Sequence, residues 1–235
     1  MGLLTIDNPS AGMAGSIPSK SVWPESETGW RRRNPGLFEI HVEQMRIDEA
    51  IRRMARPGWN CVAVGRQAET NRNQWRQLAP AGRHIGIDLA RETTPGIEQF
   101  LEKVGKRAFE LAEAFPNLDC SLMRIEAEGA EELVLRGART MIARSRPVIL
   151  FESTLEGARR LGLRREDLFS LLYDEMRYEI FLSRDVLREG RALDLVGFEK
   201  AALYPYQAFH FFAIPREQCS GWRWASPNAG LRLSA

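Results

Sequence analysis

The sequence predicts an α/β fold, a mostly parallel sheet covered by helices and closed by an antiparallel strand. Three observations predict it. Apolar runs of strand length at residues 61–65, 84–89, 120–125 and 147–151 alternate with stretches of helical periodicity. Residues 124–131, R-I-E-A-E-G-A-E, place three carboxylates on a turn between a strand and a helix. Two late runs, 178–182 and 209–214, read as an antiparallel pair that ends the sheet.

The elements follow in chain order. Residues 1–36 hold many Gly, Ser and Pro and no lasting period, and read as an irregular N-terminal arm; residues 37–216 read as one domain and 217–235 as a C-terminal tail. In the arm, Trp23 and Trp30 precede Arg31, Arg32 and Arg33. Such a run can meet nucleic acid, but a cluster this short is more simply a solvated stretch whose tryptophans dock on the domain. From Glu39 to Arg56 the stripe Ile47, Ala50, Ile51, Met54 marks a helix, with Asp48–Arg52 and Glu49–Arg53 at i,i+4 spacing, and Pro57-Gly58 stops it. Strand 61–65 enters a polar turn and a helix carrying Trp75 and Leu78. Gly82-Arg83 punctuates the chain before strand 84–89, which ends beside Asp88.

Thr94-Pro95 opens a helix with a capping hydroxyl before a first-turn proline, and Ile97, Phe100, Leu101, Val104, Ala108, Leu111 and Phe115 form its stripe across Gly105. Strand 120–127 comes next. Gly129 marks a reversal, and Ala130, Leu133, Val134, Gly137, Ala138, Met141 and Ile142 recur at helical spacing, with Gly137 placed to let helix and sheet approach closely. Strand 147–151 then closes on Glu152. Strand, helix, strand predicts a parallel pair with a right-handed crossover. Open sheets of this kind bind ligands outside the carboxyl ends of their strands, where Glu126, Glu128, Glu131 and Glu152 fall. Leu161, Leu168, Leu171 and Leu172 mark a further helix, and residues 187–206 an excursion over the sheet edge.

This arrangement resembles the signature of the FkbM-type family of S-adenosylmethionine-dependent methyltransferases, K-I-D-V-E-G-A-E, followed by a helix and a strand ending in glutamate. Ile125, Glu128, Gly129, Ala130 and Glu131 are identical to it, and Arg124 and Glu126 are conservative replacements. Gly137-Ala138, Arg146-Pro147-Val148, Phe151-Glu152 and a terminal F-H-F-F-A-I-P, similar to N-F-L-A-I-P, extend the likeness over roughly the last hundred residues before the tail.

The resemblance implies a Rossmann-like class I methyltransferase sheet, S-adenosylmethionine as cofactor, and O-methylation of a hydroxyl on a small molecule or sugar. It assigns Glu126, Glu128 and Glu131 to the catalytic edge and Val64, Gly65 and Asp88 to the cofactor, Asp88 through the ribose hydroxyls. The first loop departs from the family's D-V-G-A-N-x-G: Ala63-Val64-Gly65-Arg66-Gln67-Ala68-Glu69 keeps one glycine and loses the aspartate and the second glycine. A helix fills the interval where the family inserts a third strand. These departures motivate the alternative, a non-catalytic methyltransferase-like domain for binding or oligomerisation.

Methyl transfer is an in-line displacement, so the protein aligns two ligands and takes a proton from a hydroxyl acceptor. Carboxylates suit that work, yet near a helix N-terminus Glu128 and Glu131 also stabilise the dipole by about 0.3–1 kcal/mol with no chemistry. His210 reads either as a base or as a satisfied core residue. The 235 residues, 44% hydrophobic and 27% charged with net charge +2, match one ordinary globular domain and select no acidic or basic partner. No apolar stretch reaches roughly 18 residues, so no membrane span is expected. Met1 to Lys20 lacks a secretory pattern, which makes the cytoplasm the default compartment. Three cysteines without ligand spacing predict neither disulfides nor a metal site.

Overall fold

The periodic stripe of the first helix and the buried strand runs assemble as three layers. The computed structural model describes residues 5–6, 35–65, 68–88, 104, 106, 108–110, 113–203 and 207–219. Its strands are β1 (Thr5–Ile6), β2 (Asn60–Gly65), β3 (His84–Ile87), β4 (Cys120–Glu126), β5 (Val148–Glu152), β6 (Tyr178–Leu182) and β7 (His210–Pro215). The helices are α1 (Pro35–Met54), α2 (Ala68–Leu78), α3 (Glu131–Gly137), α4 (Arg139–Ser145), α5 (Leu155–Arg160), α6 (Arg165–Ser170), α7 (Ser183–Leu187), α8 (Leu195–Ala201) and α9 (Arg216–Cys219), with a π-helical turn at Leu171–Glu175.

One sheet runs in the order β1-β3-β2-β4-β5-β7-β6. The pairs β2–β3, β2–β4 and β4–β5 are parallel, whereas β7 lies antiparallel to both β5 and β6. The strand pairing expected around the acidic turn and at the sheet's end is therefore present, compatible with a Rossmann-like fold. Order reverses at β2: the chain leaves it for β3 on one side and returns as β4 on the other. The crevice of such sheets opens at that reversal, here above the register pair Gly65 and Glu126. Beyond β3 there is no third parallel strand among the described residues. β1 takes the place instead, antiparallel, with Thr5 opposite Gly86 and Ile6 opposite Ile85.

Alternation along each strand divides the core. Val62, Val64, Met123, Ile125, Ile149, Phe151, Phe211 and Ala213 face α3, α4, α6 and α8. Cys61, Ala63, Leu122, Val148, Leu150, Phe212 and Ile214 face α1, α2 and α7, where Ile47, Ala50, Ile51, Met54 and Trp75 cover them. Within the interval assigned to a long helix, Val104, Lys106, Ala108–Glu110 and Glu113–Ala114 are helical, and Val104 and Ala108 are buried; its start at Thr94-Pro95 and Gly105 lie outside the described residues.

Several boundaries differ from expectation. α1 begins at Pro35, and Thr5–Ile6 joins the sheet, so part of the arm is regular. Trp23, Trp30 and Arg31 to Arg33 lie outside the described residues. The helix read from 130 to 142 is two, α3 and α4, joined at Ala138. Ala138, fully buried, makes the close approach expected of the half-buried Gly137. The tail's first residues form α9, fastened by Arg146, whose guanidinium pairs both Glu217 oxygens at 2.7 and 3.0 Å. No described helix is long and apolar enough to cross a membrane.

Candidate functional site

At the carboxyl edge the core facing α1 changes from apolar to ionisable on four elements at once. Along β4, Leu122 gives way to Arg124 and Glu126; along β5, Leu150 to Glu152; along β7, Phe212 to His210; along α1, Ile47 to Glu43. Arg124 and Glu126 are two residues apart on a strand and share a face. The Arg124 Nε and Nη2 both donate to Glu126 Oε1, at 2.7 and 2.6 Å. His210 Nε2 stands 3.7 Å from the same oxygen, and its Nδ1 3.8 Å from Glu43 Oε2. These spacings are ion pairs, longer than direct hydrogen bonds. Glu43 also accepts the backbone N–H groups of Phe209 and His210, each at 2.9 Å, so one carboxylate ties α1 to the start of β7.

The charges of this group alternate. Arg124, Glu126 and Glu43 are 3%, 6% and 6% exposed. Burial works against a charge on His210, but Glu126 and Glu43 outweigh it and push the imidazole up to about 9. Burial likewise raises the Glu126 carboxyl, and His210 and Arg124 overcome it, leaving it below the ordinary range. At neutral pH His210 is thus a second cation beside Arg124, between the Glu126 and Glu43 carboxyl groups.

Glu131 is in a different setting. It is 1% exposed, and its Oε1 accepts the N–H groups of Ala127 at 2.9 Å and Gly129 at 3.2 Å. Burial pushes its pKa up, the turn's N–H groups pull it down, and Glu152 pushes it up again, leaving it at about 7. Its electrostatic partner is Glu152. Glu128 sits in the left-handed region at φ 56°, and Arg160 donates to its carbonyl at 3.1 Å and approaches its carboxylate at 3.9 Å. The three acids of the motif therefore diverge: Glu126 toward α1, Glu131 into its own turn, Glu128 toward α5.

Two glycines fix this edge. A Cβ on Gly65, at φ 125°, would lie 1.9 Å from the Glu126 carbonyl oxygen. A Cβ on Gly129 would lie 2.3 Å from the Gly157 backbone, so the acidic turn rests directly on α5. Val64 is 2% exposed and packs into the core beneath the crevice. Asp88 is half-buried just past β3. Arg66 lies outside the described residues. The structure brings together Glu126 with His210 and adds Glu43, which sequence reasoning passed over. A signal was present: Glu43 is four residues before Ile47 and seven before Ala50, a carboxylate on the buried stripe.

His84 is buried, with Nε2 2.8 Å from the Ala79 carbonyl, a structural contact. Among the described residues no group of three or more His, Cys, Asp or Glu can hold a metal ion. A cavity of about 450 Å³ opens at the opposite, amino edge, lined by Arg139, Ile142, Arg146, Met176, Arg177 and Glu217 among others. Arg146 and Arg139 there are committed to Glu217 and Glu175. The chain matches no family model, and no curated protein or solved structure matches it.

Proposed function

We propose that the chain is an S-adenosylmethionine-dependent O-methyltransferase of the FkbM-like type, acting on a hydroxyl of a small molecule or sugar. The observation that supports it most is topological: a mostly parallel sheet with β7 inserted antiparallel between β5 and β6, and the R-I-E-A-E-G-A-E turn at the strand-order reversal beside Gly65. In this reading the backbone at Val64 and Gly65 lies on the cofactor side of the crevice and Asp88 takes the ribose hydroxyls. Glu126 faces the reacting ligands. Glu131 holds the turn in this reading: 1% exposed, it accepts the N–H groups of Ala127 and Gly129 behind the edge that Glu126 presents.

Thermal unfolding with S-adenosylmethionine and S-adenosylhomocysteine tests the reading. At a ligand concentration ~100 times the dissociation constant, binding stabilises the fold by about 2.7 kcal/mol, a rise of several degrees. No shift with either ligand overturns it.

A second reading, a non-catalytic domain of the same architecture, is favoured by one observation. Ala63 stands where the family pattern has aspartate, and its cross-strand neighbour is Arg124, whose charge is already taken by Glu126. The edge thus offers no spare carboxylate in the first loop's place. If this is right, the pair Ala63→Asp and Glu69→Gly creates cofactor binding where the native chain has none. Native binding removes it.

A further inference from the structure

We propose that Glu43, His210 and Glu126 form a proton-operated clamp that holds the first half of α1 against the carboxyl edge of the sheet, closed while His210 is protonated. Three parts of the fold meet in it. Glu43 comes from α1, His210 from β7 and Glu126 from β4, and the imidazole stands between the two carboxylates at 3.8 and 3.7 Å. Arg124, on β4 beside them, is a buried cation of the same group, and its bonds go to Glu126. With a neutral His210, two buried carboxylates would share one guanidinium, and Glu43 would face no cation from β4 or β7. The Phe209 and His210 N–H groups still hold Glu43 then, but a buried charge without a cation is costly, and returning Glu43 to water by lifting α1 relieves it.

Among the described residues, the charged neighbours on β5, on α7 and farther along α1 do not substitute for the proton. Glu152, opposite His210 in the β5–β7 register, adds negative charge. On α7, Arg184 donates to Gln207 and lies 3.9 Å from Asp185. Asp48, farther along α1, takes side-chain amides from Gln44 and Gln74. Glu126 belongs both to the clamp and to the Gly65–Glu126 register pair, so the clamp and the crevice share a residue.

The inference goes beyond the methyltransferase reading and uses no cofactor, so each can fail alone. The test is a pH titration of the His210 imidazole by NMR in the full chain, joined to amide hydrogen exchange. The imidazole should titrate near 9, and move back toward 6.5 in Glu43→Gln. Because the closed form binds the extra proton, protection of residues 40–47 should fall by up to about tenfold per pH unit between 6.5 and 9, while β4 and β5 keep theirs. His210→Gln should abolish that pH dependence. Titration near 6.5 in the native chain, or protection that is flat or lost evenly across the whole fold, overturns the clamp. If Glu43→Gln does not fold, the native titration and the His210→Gln exchange profile still decide.

Discussion

Arg124 shows how a conservative-looking residue acquires its role from its neighbours. Its guanidinium is buried against Glu126 and pairs with that carboxylate behind the crevice. Replacing it with Met keeps the volume and strands a carboxylate, so Arg124→Met should lower the unfolding free energy by about 3–5 kcal/mol in urea titrations. Gly65 is equally constrained. Its left-handed backbone and the Glu126 carbonyl leave no room for a methyl, and Gly65→Ala should cost roughly 3 kcal/mol or more, visible as a reduced urea midpoint. At this scale the sequence was partly legible. Glu126, Glu128 and Glu131 announce an acidic turn by spacing alone, but which way each side chain points depends on α1, far upstream, and on α5, whose Arg160 lies 32 residues after Glu128. His210 could be read either way because its partner Glu43 is remote in the chain.

Whole elements were more legible than single side chains. β2, β4, β5 and β7 follow from apolar runs, since a strand buried on both faces needs nothing else to be recognised, and β6 at the sheet edge alternates buried and half-buried residues. Where local signals compete, boundaries move. The helix after the acidic turn is interrupted at Ala138, although Ala138 and Ile142 still make i to i−4 bonds across the join, so periodicity alone reads it as continuous. β1 gives no signal, because two residues have no period, and its place is decided by the open edge of β3. α5 depends on a local cap: Thr154 Oγ1 accepts the Gly157 N–H at 3.1 Å. Thr154→Ala should cost about 1 kcal/mol in thermal unfolding and leave the sheet intact by circular dichroism.

For the molecule as a whole, buried ionisable groups set the pH profile. Glu131 is raised from 4.5 to about 7, so the folded state holds its proton over that window and stability falls as pH rises through it. His210 is raised from 6.5 to about 9; its contribution is complete below 6.5 and is lost as pH rises to 9. Each effect is worth about 3 kcal/mol. Unfolding measured from pH 4.5 to 9 should therefore show a continuous decline above 4.5, and Glu131→Gln should remove the slope between 4.5 and 7 while preserving the bonds from Ala127 and Gly129. The thiols offer a separate check. Burial raises Cys61 and holds Cys120 at about 12, and Cys219 at about 11. A thiol reagent at pH 8 should find the folded chain nearly inert, and all three cysteines should react on unfolding.

The contact of Gly129 with Gly157 has a mechanical meaning. Backbone rests on backbone there, with no side chain to rotate or ionise, so the turn after β4 and the helix after β5 behave as a single fixed jaw. In the proposed clamp, α1 is held instead by charges that solvent conditions can alter. A molecule entering between them would meet one immovable side and one that yields, and the direction of any opening stroke is set before the ligand arrives.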